Sequence, residues 1–236
     1  MVNRRNLTVD LGGTYTRLAL FEAGELKQLI KYETPKTPQE FIASFTKEIK
    51  KNKWEDISKI GVGAAGFWDS SQILRQSINL PEYIGYPLWQ EISQITQASI
   101  SLATDVELAA MGEAVYGLKN QFSSVLYINM GTGFSAGLYK DGAIFTTAYS
   151  PALRLSYTTT AQSLKDTLIN LACLFSPQII VIGGSKAILH WNTDIEPIIE
   201  EAMDYLSQVL VYPLKIQPAT LEYPTLWGAL ELIYTI

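Results

Sequence analysis

The spacing of hydrophobic positions switches between period two and period 3.6 in a regular order along this chain. Over residues 6–20, Leu7, Val9 and Leu11 alternate with Thr8 and Asp10, and Leu18 and Leu20 resume the alternation after Gly12-Gly13. Two half-buried strands joined by a tight turn are predicted there. A third strand follows at 26–34. Thr37, Pro38 and Glu40 then occupy the N-cap, first and third positions of a capping box, ahead of Phe41, Ile42, Phe45 and Ile49 at helical spacing. Lys47, Lys50, Lys51 and Lys53 make the solvated end of this helix, where cations also suit the dipole. A strand at 57–62, a helix at 87–98 with Leu88, Ile92 and Ile95 inward, a strand at 99–103 and a helix at 104–118 complete the first half. Thr104 and Glu107 form a second capping box at the start of that last helix.

The same order then returns. A strand at 123–129 ends in Gly131-Thr132-Gly133, a second strand runs over 134–140, Asp141-Gly142 supplies a hairpin turn, and a third strand is predicted at 143–149. A helix at 162–175 stops before Pro177. A buried strand at 178–182 ends in Gly183-Gly184. Thr193 is predicted to cap a helix running to about residue 210; a strand at 214–218 and a helix at 225–234 follow. Each half reads βββαβαβα, and each begins with two strands joined at a glycine turn. The expectation is a duplicated α/β fold, with lobes at 1–120 and 121–236, the last helix free to pack back on the first lobe, and an interdomain cleft bringing the glycine turns together.

Composition narrows the chemistry. With 236 residues, 47% hydrophobic, the chain can form one large or two small cores. Its net charge of −5 argues against a nucleic-acid-binding face. One cysteine, Cys173, and one histidine, His190, rule out an internal disulfide, a cysteine zinc site and a His–His relay. A Ser-His-Asp triad on His190 is conceivable, but no G-x-S-x-G elbow is expected. Arg4-Arg5 precedes an apolar run too short for a signal peptide and interrupted by Asp10. No segment is long enough to span a bilayer, so a cytoplasmic protein with no membrane or nucleic-acid partner is expected.

The first glycine turn is the leading chemical candidate. Gly12 and Gly13 allow a positive φ and close approach of a ligand, successive N–H groups can form an anion nest, and Thr14, Asp10 and Arg17 add a hydroxyl, a carboxylate and a fixed cation. Such a set suits a nucleotide phosphate with its Mg²⁺; an ordinary hairpin turn needs the glycines equally. Residues 61–66 spell G-x-G-x-x-G, but the dinucleotide fingerprint requires a helix directly after the last glycine, and 67–71 read as a turn leading into another strand. Gly183-Gly184-Ser185-Lys186 lacks the frame of a Walker A loop.

Taken in order, six segments resemble the ROK family of sugar kinases, within the actin/hexokinase/Hsp70-like superfamily and its ribonuclease H-like βββαβαβα architecture. Asp10-Leu11-Gly12-Gly13-Thr14 with Arg17 resembles the first phosphate motif, and residues 61–66 with Asp69 the family's G-x-G-x-P-G-x-x-D. Asn79-Leu80-Pro81 matches N-L-P. Thr104-Asp105 with Ala109, Ala110, Gly112 and Glu113 resembles N-D-x-N-A-A-A-x-G-E. Gly131-Thr132-Gly133 resembles the second phosphate motif, and residues 179–184 the adenosine-side strand and turn.

The resemblance implies ATP-dependent phosphoryl transfer to a hydroxyl of a sugar or sugar-like molecule. Gly12, Gly13, Thr14, Gly131, Thr132, Gly133, Gly183 and Gly184 would hold the nucleotide, and Asp10 would orient Mg²⁺ through water. Asn79, Thr104 and Asp105 would meet the acceptor, with Asp105 as general base; its position also suits a plain helix-dipole contact. A homodimer is an option the sequence leaves open. The chain departs from the family on the sugar side: residues 146–161 hold no Glu, His or Cys where relatives carry Glu-x-Gly-His and a zinc site. A shortened lid, no structural zinc, and an acceptor pocket lined by Asn79, Thr104, Tyr149 or Tyr157 are expected. No helix-turn-helix precedes the first strand, so a kinase is expected rather than a repressor. The alternatives are a non-catalytic nucleotide or sugar binder and a kinase of a small non-sugar metabolite.

Overall fold

A repeated strand order governs the architecture in a computed structural model, which describes residues 5–131, 133–146, 153–156 and 161–235. The chain enters through β1 (Arg5–Leu11), β2 (Tyr15–Glu22) and β3 (Glu25–Glu33), then α1 (Pro38–Lys51) and β4 (Lys59–Ala64). A small hairpin of β5 (Phe67–Trp68) and β6 (Leu74–Gln76) follows, then α2 (Leu88–Thr96), β7 (Ser99–Thr104) and α3 (Asp105–Gly112). The capping box of α1 forms as predicted: the Glu40 N–H donates to Thr37 Oγ1 (3.3 Å) and the Thr37 N–H to Glu40 Oε2 (3.2 Å). The sheet order is β3-β2-β1-β4-β7, with β1, β4 and β7 parallel.

The next half contains β8 (Ser124–Met130), β9 (Phe134–Lys140), β10 (Ala143–Ile144), β11 (Leu153–Ser156) and α4 (Ala161–Phe175). It continues with β12 (Ile179–Gly183), α5 (Ser185–His190), α6 (Glu196–Val209), β13 (Lys215–Pro218) and α7 (Pro224–Thr235). Its sheet runs β10-β9-β8-β12-β13, the order of the first sheet, with β11 also paired to β9. Two compact units result, Met1–Leu108 with Thr225–Ile236, and Ala109–Pro224; the division falls within α3.

Each unit has its own core. In the first, Leu7, Val9, Leu11, Ile60, Val62 and Ala64 face Phe41, Phe45 and Trp89 of the helices. In the second, Leu126, Ile128, Ile180 and Ile182 face Leu164, Leu168, Ala202 and Leu206. The alternation predicts a half-buried β1, but Thr8 is as buried as Val9, because β1 is an interior strand whose other face is covered as well. On that face β4 presents Gly61 and Gly63. A Cβ at Gly61 would fall on the Ala229 carbonyl, and one at Gly63 on the Thr225 methyl, so α7 lies directly on bare backbone.

Several boundaries differ from the sequence reading. The helix expected at 104–118 is α-helical only to Gly112 and ends in a π turn, Glu113–Gly117, closed by the Leu118 N–H on the Glu113 carbonyl. The buried Glu113 carboxylate accepts from the Thr220 N–H, the Thr220 hydroxyl and the Leu221 N–H, and so ties this turn to the loop after β13. Thr193 is not an N-cap. Helix already begins at Ser185, and 191–195 form a π turn that carries the chain past Pro197; a proline ring clashes with the carbonyl four residues back and prevents regular winding there. The strand expected at 143–149 is β10, Ala143–Ile144, and residues 147–150 lie outside those described.

Candidate active site

The carboxyl ends of parallel strands in an open α/β sheet are where ligands bind. In the first unit Leu11, Ala64 and Thr104 stand in register at those ends of β1, β4 and β7. The Gly12 turn and Asp105 therefore share one sheet edge, roughly 10 Å apart at two strand spacings. Asp10 and Gly63 are register partners and share a face. The Asp105 Cα lies 3.5 Å from where a Gly63 Cβ would be, on the same face.

The Gly12 turn is built without the expected positive φ at Gly12 or Gly13. Their small size is needed for approach instead: a Cβ on Gly13 would stand 2.5 Å from Asn79 Cβ. Asn79 is thereby brought to the turn, on a segment where the Leu80 N–H donates to Ser77 Oγ (3.1 Å). Thr34, just past the end of β3, braces the turn, with its hydroxyl donating to the Gly12 carbonyl (2.6 Å) and its N–H to the Thr14 carbonyl (3.0 Å). The exposed N–H groups of Gly13 and Thr14 have no protein partner among the described residues. They form a pair of open donors suited to an anion.

Asp10 faces Arg17 directly across the hairpin, and the guanidinium Nη1 donates to Asp10 Oδ2 at 2.7 Å. Burial raises the Asp10 pKa, with the Arg17 charge and hydrogen bond opposing that rise. Asp10 Oδ1 carries no hydrogen bond among the described residues, which leaves one oxygen of a partly buried carboxylate for a hydrated cation. Among these residues no group of three or more His, Cys, Asp or Glu is placed to hold a metal ion. A Mg²⁺ site of one carboxylate, water and phosphate oxygens fits this donor set.

Asp105 opens α3, where Thr104 caps the helix. The Thr104 N–H and hydroxyl donate to Glu107 Oε2 at 3.1 and 2.7 Å, and the Glu107 N–H returns to Thr104 Oγ1 at 3.4 Å, so the second capping box also forms. Thr104 is buried and its hydroxyl proton is committed to Glu107. Asp105 is partly exposed; its Oδ1 accepts from the Val106 N–H (3.0 Å) and its carbonyl from the Thr225 hydroxyl (3.1 Å).

Glu107 is 1% exposed, and burial, with the Asp105 charge adding to it, pushes its pKa up from 4.5 to about 7 against the two bonds from Thr104. A carboxyl whose folded-state pKa is raised keeps a proton that the unfolded chain gives up. Its contribution to stability is therefore lost as pH rises from about 4.5 to about 7, at up to ~1.4 kcal/mol per pH unit and about 3 kcal/mol in all. Urea unfolding at pH 5 and pH 7.5 is expected to show a steeper loss for the native chain than for Glu107→Gln. Equal pH slopes would contradict the raised pKa.

In the second unit, Gly183 pairs in register with Asn129, which places the Gly131 and Gly183-Gly184 turns at one sheet edge. Gly184 has φ +95°, and a Cβ there would meet Asn129 Oδ1 at 2.5 Å and the Met130 carbonyl at 2.6 Å, so glycine is required. The Gly131 N–H donates to the Gly133 carbonyl (3.1 Å), and among the described residues nothing lies within 4 Å of where a Gly133 Cβ would be. Thr132, Tyr149 and Tyr157 lie outside the described residues.

Three other sequence motifs resolve into structure. Residues 61–66 lead into the β5–β6 hairpin and not a helix, so the dinucleotide fingerprint fails. Asp69 organises that hairpin, accepting from the Ser71 and Ile73 N–H groups and from Arg75 Nε. Residues 133–137 do spell G-x-S-x-G, but Ser135 lies within β9 and not at a strand-to-helix elbow. Sequence reasoning missed Glu107 as a buried acid, having read it only as a cap partner, and missed Thr225, which no local pattern marks.

The sequence profile of the ROK family matches residues 6–150, and the chain belongs to the ROK family. It is 30% identical to the N-acetylmannosamine kinase of Vibrio cholerae over 146 residues, 59% of this chain and 49% of that protein. The chain spans about half the length of the curated relatives it matches. The ROK hexokinase of Thermus thermophilus superposes with a TM-score of 0.82 at 19% identity, covering 98% of each chain. A ROK glucokinase from Streptomyces griseus, in complex with glucose and AMPPNP, gives 0.79 at 16% identity, covering 98% of this chain and 100% of that one. The fold is the actin-like ATPase fold of these kinases. No helix among the described residues is long and apolar enough to cross a membrane.

Proposed function

We propose that this protein is an ATP-dependent kinase that phosphorylates a hydroxyl of a sugar or sugar-like molecule in the cytoplasm. The observation that carries this reading is one sheet edge bearing the open Gly13 and Thr14 donors, the Asp10–Arg17 pair, Asn79 and Asp105. ROK membership and the nucleotide complex of a structural relative support it.

Phosphoryl transfer depends on positioning and charge stabilisation more than on covalent steps by the protein. Gly12, Gly13 and Thr14 would bind phosphate oxygens through backbone donors and a hydroxyl. Asp10 would hold hydrated Mg²⁺, which supplies charge neutralisation on the phosphates. Gly131, Thr132, Gly133, Gly183 and Gly184 would make further nucleotide contacts. Asn79 would orient the acceptor, and Asp105 would take the proton of its hydroxyl as the oxygen attacks the γ-phosphorus and ADP departs. Thr104, sealed in its cap, would serve by holding Asp105.

The composition of residues 146–161 favours weak or unusual sugar affinity and keeps one other reading in view, a regulatory relative that binds nucleotide without turnover. Acceptor-dependent ADP release separates the two. A kinase of a small non-sugar metabolite would show the same release with a different acceptor.

A further inference from the structure

A capping-box glutamate ordinarily lies at the surface, as Glu40 of α1 does. Glu107 of α3 is sealed instead, with Oε2 taking both Thr104 donors and Oε1 buried without a hydrogen-bond partner among the described residues. Sealing a carboxyl is costly, and a simple cap does not require it. On the other side of Asp105, the Thr225 hydroxyl of α7 donates to the Asp105 carbonyl, while the Thr225 methyl packs against Gly63. The backbone carrying Asp105 is thus held from both sides, by a residue two positions on and by one at the far end of the chain.

We propose that Glu107 and Thr225 are positioning residues that fix the Asp105 carboxylate, Glu107 by clamping Thr104 and Thr225 by gripping the Asp105 carbonyl. This rests on the reading of Asp105 as general base. Neither residue touches the acceptor; Glu107 acts through the N–H and hydroxyl of Thr104, and Thr225 through the Asp105 carbonyl. Buried hydrogen bonds of this kind matter to rate because a ~1 Å misplacement of a reacting group can cost ~10²-fold. The carboxamide of Glu107→Gln can still accept from both Thr104 donors, and Thr225→Ser keeps the hydroxyl, so the conservative variants preserve both grips.

The test compares Glu107→Ala, Glu107→Gln, Thr225→Val and Thr225→Ser in the full chain. The expected result for Glu107→Ala is a ~10–100-fold loss of kcat, with KM for ATP and acceptor within ~2-fold of native. Thr225→Val loses kcat in the same sense, and Gln and Ser restore it at their positions. The ¹³C resonance of the Asp105 carboxyl, recorded without nucleotide, should move in the Ala and Val variants and not in the conservative pair. Unchanged kcat and an unmoved Asp105 resonance in the Ala and Val variants would overturn the proposal, as would a Gln variant as impaired as the Ala variant. Should Glu107→Ala fail to fold, the Thr225 pair decides alone. A native protein with no turnover refutes the kinase reading, while the resonance still decides whether these residues position Asp105.

Discussion

Asp105→Asn is expected to lower turnover by ~10²–10⁴-fold, the usual loss when a general base is removed, with ATP binding nearly unchanged. Asparagine keeps the size of the side chain, and its amide oxygen can still accept from the Val106 N–H that now bonds to Oδ1. It removes the negative charge and with it the ability to take a proton. The competing role, a helix-dipole contact in the first turn of α3, is worth ~0.3–1 kcal/mol and would leave turnover largely intact. Paired measurement of turnover and melting temperature separates the roles. An Asp105→Asn protein that melts early yet phosphorylates at the native rate would assign the residue to the helix.

Gly228→Ala is expected to be the most damaging single methyl in the first unit. A Cβ at Gly228 would fall on the Leu108 carbonyl of α3, with the Leu108 Cα and carbonyl carbon close behind. The obstacle is backbone, so no rotamer relieves it, and α7 must shift away from α3. Overpacking typically costs ~1–3 kcal/mol, occasionally more, and this site belongs at or above the top of that range. Leu108 lies one turn beyond Asp105, and Thr225 lies one turn before Gly228, so the displacement also disturbs the grip on Asp105. Urea unfolding should show a lower midpoint with an unchanged slope, and turnover should fall as well. A midpoint within ~0.5 kcal/mol of native would contradict this close packing of α7 on α3.

Local chemistry explains which parts of the fold could be read in advance. The capping boxes at Thr37 and Thr104, the apolar face of α1 and the paired β-hairpins are determined by residues close in sequence, and they form as read. The start of α5 was hidden because Thr193 offers a stronger cap signal than Ser185, while the π turn that accommodates Pro197 has no sequence mark. Burial of Thr8 and the glycines of β4 reflect coverage by α7, more than 160 residues away, and period-two alternation cannot report a second covered face.

The candidate site shows the same division. Asp10, Gly12, Gly13 and Arg17 could be read from one hairpin, whose register pairs Asp10 with Arg17. The reason for glycine at 13 could not, because it lies in the contact with Asn79 and not in a φ angle. The bond from the Thr104 hydroxyl to Glu107 follows from the local capping box, but the sealing of Glu107 beneath it does not. Thr225 reaches Asp105 only through the tertiary return of the last helix.

ADP release from ATP–Mg²⁺ across a panel of hexoses, N-acetylhexosamines and sugar alcohols, each at high concentration, tests the kinase reading most directly. The expected result is release that requires an acceptor, appears with at least one sugar-like compound, and is lost in Asp105→Asn. ATP–Mg²⁺ should also raise the melting temperature of both proteins, since a ligand that binds only the native state stabilises it. A native protein that is stabilised by ATP–Mg²⁺ yet releases no ADP with any acceptor would contradict the kinase reading and leave a nucleotide-binding protein without turnover.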